Sequence, residues 1–154
     1  FINDYLHNMK NYTLLLLFCT LLLSSCKTYT VSPEKFKEQI IASHQERKET
    51  SVNNPMNAMI IAAPNIKYTM NSIKYLNVYA KDGSLFFMQN SPSVEMRVTL
   101  KNGKKKYFYL DTVFLENDTL KGSKSRILAL ENAVPFSEIV KIEVQDGGKK
   151  YQYQ

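Results

Sequence analysis

Few side chains in this sequence can do chemistry, and the most nucleophilic of them sits at a seam. Cys26 ends the stretch Leu23-Ser24-Ser25-Cys26, where an apolar run turns polar in one step; the other cysteine, Cys19, lies inside that run. Beyond Cys26 there is one histidine, His44, and no further thiol. Zinc needs three or four Cys, His or carboxylate ligands at recurring spacings, and a Ser-His-acid set needs an imidazole between its partners. With Lys48 and Glu49 nearby, His44 reads as a surface residue of a helix. Asp111, Glu116 and Asp118 cluster around one predicted hairpin and are the candidates for the paired carboxylates of glycosidase-type acid-base chemistry. Asn117-Asp118 is, however, a turn signal, and these acids read better as turn and solvent groups. The 5 glycines fall in predicted turns and form no phosphate loop. The expectation is no catalytic residue, no metal and no cofactor.

Lysine and tyrosine interleave twice, in Lys104-Lys105-Lys106-Tyr107-Phe108-Tyr109 and in Lys149-Lys150-Tyr151-Gln152-Tyr153. Rings that stack and ammonium groups that pair with phosphates suit single-stranded nucleic acid. Outside the cytoplasm the same groups suit anionic lipid headgroups or acidic glycans. Lys104, Lys105, Lys106, Tyr107, Tyr109, Lys149, Lys150 and Tyr151 therefore form the candidate anion-binding surface, against the plainer reading that lysines flank edge strands to block aggregation.

The address decides between those partners. Met9 is the candidate start, with residues 1 to 8 as upstream read-through. Lys10 precedes an apolar stretch from Thr13 to Leu23, followed by small residues, which is the three-part order of an export signal. A spanning helix needs about 20 apolar residues, and this run has about half of that. Leu23-Ser24-Ser25-Cys26 resembles the lipobox of bacterial lipoproteins, with Ser25 in place of the more usual Gly or Ala. The resemblance implies cleavage between Ser25 and Cys26 and a diacylglyceryl group on the Cys26 sulfur. The membrane then becomes a partner through acyl chains, at about 0.8 kcal/mol per buried methylene, and nucleic acid is not expected. A chain starting at Cys26 loses Lys10 and Asp4 and keeps the net charge of +6. It has no second sulfhydryl for a disulfide, so its hydrophobic residues must hold it together.

Residues 26 to 55 read as a polar tether, Lys27 to Val31, and one amphipathic helix. Ser32 can cap, Pro33 suits the first helical position, and Glu34 favours the positive end of the dipole. Phe36, Ile40 and Ile41 share one face, which predicts a core-packing helix ending near Thr50. Beyond the linker Ser51 to Pro55 the period changes to alternation. Residues 72 to 80, 85 to 89, 94 to 100, 106 to 115, 127 to 130 and 139 to 145 predict the strands of an antiparallel β domain, a small barrel or sandwich over 56 to 154. Val78 to Gly83 and Val98 to Gly103 share V-x-x-K-[DN]-G, best explained by turn chemistry. A bulged turn at Gly103 puts Val98 and Leu100 on the face of Phe108 and Leu110, with Tyr107 and Tyr109 outward.

Two wider resemblances remain. Ile127 to Val144, with Pro135 at the corner, resembles the closing segment of small SH3-like barrels. The lipobox, the Tyr/Asn/Lys-rich composition and the stretch from Leu120 to Tyr153 resemble small lipoproteins of Bacteroidota-type bacteria. That likeness implies an address and no particular activity: a lipid-anchored, non-catalytic envelope module, with a carboxylate-dependent glycan- or lipid-acting enzyme as the alternative. Lys27-Thr28-Tyr29-Thr30 holds no acid, which within that group implies the periplasmic side. Asp111-Thr112-Val113 and Asp118-Thr119-Leu120 resemble its short O-glycosylation sites.

Overall fold

The computed structural model describes residues 27–58 and 63–154. The signal segment 9–25 and Cys26 lie outside the described residues. The chain is mainly β, with antiparallel sheets and one α-helix, and no sheet closes on itself among the described residues.

The expected tether is a strand. β1, Thr28–Val31, lies inside a six-stranded sheet, pairing with β11 (Ile139–Asp146) on one side and at Thr30 with β4 (Tyr75–Tyr79) on the other. Its Tyr29 and Val31 stand opposite Val144 and Ile142, and Val31 is buried. Threonine, tyrosine and valine favour a pleated, half-buried surface, so four residues that are too short to show a period join a sheet completed by partners more than a hundred positions away.

Helix α1, Pro33–Ala42, starts as its sequence dictates: the Ser32 hydroxyl accepts from the Lys35 amide at 3.3 Å. Phe36 and Ile40 are fully buried, whereas Ile41, expected on the same face, is exposed. The helix stops eight residues before Thr50. His44 and Gln45 take left-handed φ values of 56° and 46°, and the chain returns as β2, Lys48–Val52, paired with β3, Ile66–Met70. A non-glycine residue in that region is uncommon; here the Gln45 side chain accepts from the Leu115 amide at 2.8 Å, a tertiary contact that no local pattern announces. His44 is exposed.

The large sheet runs in the order β5, β4, β1, β11, β6, β7, with β5 at Leu85–Gln89, β6 at Val94–Leu100 and β7 at Lys105–Tyr109. Gln39 takes over where β1 leaves β4: its amide accepts from the Asn77 N–H and donates to the Asn77 carbonyl. The strand expected over 106 to 115 is two, β7 and β8 (Phe114–Glu116), divided by a 3₁₀ turn at Leu110–Thr112. β8, β9 (Thr119–Ser125) and β10 (Leu130–Pro135) form a second sheet packed on β7. Residues 127 to 129, expected in a strand, belong to the turn before β10, where Ala129 has φ 47°. β10, a 3₁₀ turn at Phe136–Glu138 and β11 then follow in order, with Pro135 on an edge strand.

The core lies between these sheets and α1, with Leu76, Met96, Val98, Phe108, Leu110, Leu120 and Ile142 at its centre. The predicted register of β6 and β7 holds: Met96 faces Phe108, and Gly103 carries φ 78°. The two V-x-x-K-[DN]-G segments make the same turn, each closed by an amide accepted at Asp82 or Asn102, which supports turn chemistry as the cause of the echo. At Gly122 an added Cβ would stand 3.0 Å from Val113 and 3.1 Å from Phe108.

Gly122→Ala is therefore expected to destabilise the fold by about 1–3 kcal/mol through overpacking, read as a lower urea midpoint. Val31→Asp, a buried charge in the supposed tether, abolishes cooperative unfolding; an unchanged melt would restore the tether reading.

Candidate functional site

Asp111, the acid that could have anchored a catalytic pair, is fully buried and already engaged. Its Oδ1 accepts from Arg126 Nη2 at 2.5 Å, and its Oδ2 accepts from the Tyr68 hydroxyl at 2.6 Å and the Tyr153 hydroxyl at 3.3 Å. Arg126 is equally buried. Its guanidinium lies 4.4 Å from the ring centroid of Tyr68, 4.2 Å from Tyr109 and 5.5 Å from Tyr151, inside cation-π range. Nη2 also donates to the Pro92 carbonyl at 2.9 Å, whereas Nε and Nη1 have no hydrogen-bond partner.

Buried amides position this centre. Asn71 donates to the carbonyls of Leu110 and Val113 and accepts from Ile73 and Asn90, while its N–H is accepted by the Asp111 carbonyl at 2.7 Å. The 3₁₀ turn carrying Asp111 is thus held from both ends. Thr112 donates to Tyr109 and accepts from the Ser123 amide, tying the turn to β9. Thr112 is buried, so its hydroxyl is not presented for the glycosylation that its tripeptide resembles.

The other two acids are apart from Asp111. Glu116 accepts from Arg47 and, at 2.8 Å, from Lys121, and Asp118 pairs with Lys37 at 2.5 Å. The expected turn at Asn117-Asp118 is present, both residues having left-handed φ. No two of the three carboxylates converge on a shared proton, and no group of three His, Cys, Asp or Glu side chains occurs among the described residues. A cleft of about 480 Å³ opens beside Arg126, lined by Arg47, Lys67, Thr69, Lys121 and Ser123 with Glu116 and Glu131. Two of its cations, Arg47 and Lys121, are paired with its own Glu116.

The lysine-tyrosine surface divides. Lys104, Lys105 and Tyr107 are exposed and Lys106 is half-buried, as expected of a charged hairpin. Tyr109, expected to face outward, is buried at 5% exposure, because the carboxy-terminal tail folds across it. Its ring meets Tyr151 edge-on at 6.1 Å, and its hydroxyl accepts from Lys149, which also pairs with Glu95 at 2.5 Å. Lys104 to Lys106 stand at one end of β7 and Lys149 at the other, about 13 Å apart at strand rise. Of the expected patch, Tyr109 and Tyr151 face the Arg126 guanidinium, while Lys149, bound to Tyr109 and Glu95, and Lys150 stay exposed.

Sequence reasoning missed Arg126. The usable signal was the choice of arginine in a lysine-rich chain: all three arginines meet a carboxylate, Arg47 with Glu116, Arg97 with Glu143 and Arg126 with Asp111. A planar guanidinium suits such paired recognition better than an ammonium. Arg97 and Glu143 form a two-bond pair on the open face of the large sheet, and this pairing, with Lys141 adding to it against the cost of burial, holds the Glu143 carboxyl at about 2. Burial first, then the Asp111 charge, pushes the Tyr68 and Tyr153 hydroxyls well above the usual tyrosine range.

No protein-family model, curated protein or solved structure matches the chain. Among the described residues no helix is long and apolar enough to cross a membrane.

Asp111→Asn should cost about 3–5 kcal/mol, because Arg126 is left buried without its counter-charge, whereas Asp111→Leu with Arg126→Met should lose far less than the two single changes summed; a double-mutant cycle reads the difference. The pH dependence has two limbs. Tyr68 has a raised folded pKa, so its contribution is intact below about pH 10 and is lost as pH rises beyond it; Tyr68→Phe flattens that alkaline limb. Glu143 has a depressed one, so its contribution is intact above its ordinary value of 4.5 and fades toward about 2. Glu143→Gln flattens the acid limb, and thermal melts across pH check both.

Proposed function

We propose that the chain is an acyl-anchored lipoprotein of a bacterial cell envelope, facing the periplasm, whose β domain is a non-catalytic binding or scaffolding module. The observation that carries this reading is the order Lys10, apolar run, Leu23-Ser24-Ser25-Cys26. Small side chains at 24 and 25 fit an extended backbone into a peptidase cleft, and Cys26 supplies the sulfur that takes the diacylglyceryl group.

The non-catalytic part is supported by the state of the acids. Asp111 is committed to Arg126 and Tyr68, Glu116 to Arg47 and Lys121, and Asp118 to Lys37. A general acid or base must be free to exchange its proton with substrate, and these groups are occupied in holding the fold. The partner is another envelope protein, an anionic lipid or an acidic glycan, met through the exposed lysines Lys104, Lys105 and Lys150. The two larger sheets around the core are read as a small open sandwich, with the strand, 3₁₀ turn and strand from Leu130 to Asp146 as its SH3-like closing segment.

Intact mass of the protein extracted from membranes tests the anchor. The expected result is a chain beginning at Cys26 and carrying acyl groups, with neither cleavage nor acylation in Cys26→Ala. An unmodified chain in the cytosol would overturn the reading and return the lysine-tyrosine surfaces to nucleic acid.

A further inference from the structure

We infer that the β4–β5 hairpin is a membrane-contact surface, seated in the lipid interface beside the anchor, an inference that rests on acylation of Cys26. Thr28 is already hydrogen-bonded into the sheet, so Lys27 alone separates Cys26 from the folded domain. Successive Cα atoms are about 3.8 Å apart, which leaves an acylated Cys26 no tether. Whatever end of the sheet the chain emerges from must lie against the headgroups.

That end is the hairpin tip. Thr30 pairs with Tyr79 and Tyr79 with Leu85, so the turn 80–84 projects in the direction from which Lys27 enters. Lys27, Tyr29, Lys81, Leu85 and Phe86 line one shared groove, and Tyr29 stacks on Phe86 at 4.7 Å between ring centroids. β5 is the edge strand and exposes three consecutive large apolar side chains, Leu85 at 50%, Phe86 at 44% and Phe87 at 61%, with Tyr79 beside them at 43%.

An exposed apolar patch of this kind marks an interaction site, and its composition matches a lipid interface. Aromatic rings sit at headgroup level, and lysines beside them meet anionic lipid; here Lys27 and Lys81 flank Leu85 and Phe86. Asp82 is turned inward on its own loop, accepting from both the amide and the hydroxyl of Ser84. The other occupant that such an edge could take is a strand from another chain. The two differ in reach: a strand covers β5 along its length, whereas interfacial burial extends about 5–10 Å and fades with distance from Cys26.

The sequence contains no tryptophan, so single reporters can be placed at will. Leu85→Trp and Gln89→Trp lie on one face of β5, about 13 Å apart, and both native side chains are exposed. Val140→Trp, exposed at the end of β11 away from Thr28, is the control. The full-length protein is purified from membranes and reconstituted into phosphatidylethanolamine–phosphatidylglycerol vesicles containing brominated acyl chains. The expected result is emission from position 85 that is blue-shifted and quenched several-fold more by the brominated lipid than emission from 89 or 140, which remain open to acrylamide. Equal shielding of 85 and 89 without quenching by brominated lipid would overturn the inference in favour of an added strand, and full acrylamide access at 85 would overturn it outright. Intact mass on the same samples separates the two readings: an acylated chain with a water-exposed position 85 sinks the membrane contact alone, and an unacylated chain sinks the anchor.

Discussion

The ion pair between Asp111 and Arg126 is the interaction on which the small end of the fold depends. Two charges taken out of water cost several kcal/mol each in effective terms, and their attraction repays this only when the remaining polar atoms find partners. Asp111 meets that condition with two tyrosine hydroxyls. Arg126 meets it partly with a carbonyl and otherwise with the faces of three rings. The groups involved come from β3, the segment before β6, β7, the 3₁₀ turn, the segment after β9 and the carboxy-terminal tail, so one buried charge pair ties together six stretches of chain.

Around that centre the molecule is a layered β structure whose strands are assembled across long sequence separations. β1 lies between β4 and β11, and β11 between β1 and β6. The consequence for function is geometric. Because the first described residues enter an interior strand and not a linker, anything attached at Cys26 is mechanically coupled to the sheet. A lipid there orients the domain as well as retaining it. On the proposed acylation of Cys26, the recess beside Arg126 and the lysine-rich β6–β7 hairpin would be held in a fixed relation to the bilayer.

Legibility in the sequence varied with the range of the forces involved. β5 and β6 were readable to the residue, and the Gly103 turn and its register followed from which faces could be apolar. The Ser32 cap and the buried face of α1 were equally local. The end of α1 was not, because His44 and Gln45 accept left-handed backbone for the sake of a contact to Leu115. β2, β3 and β9 were missed, since KETSV, IKYTM and TLKGSKS show no clean alternation and are stabilised by their neighbours. At the site, Asp111 was read as a turn and solvent group and is instead fully buried, because its partner fifteen positions on was one basic residue among many. Tyr109 was assigned to solvent because β7 alone says nothing of the tail that covers it.

What the sequence determined by itself is therefore the class of structure and its punctuation: mainly β, antiparallel, one capped helix, turns at Asp82-Gly83, Asn102-Gly103 and Asn117-Asp118. These follow from backbone sterics and hydrophobic period, which act within a few residues. The tertiary structure alone decided that Thr28 to Val31 is an interior strand, that Asp111 is spent on Arg126, and that Tyr109 and Tyr151 of the lysine-tyrosine surface turn inward against the guanidinium. Each of those outcomes depends on which distant group removes water from a residue, and that is a property of the assembled fold.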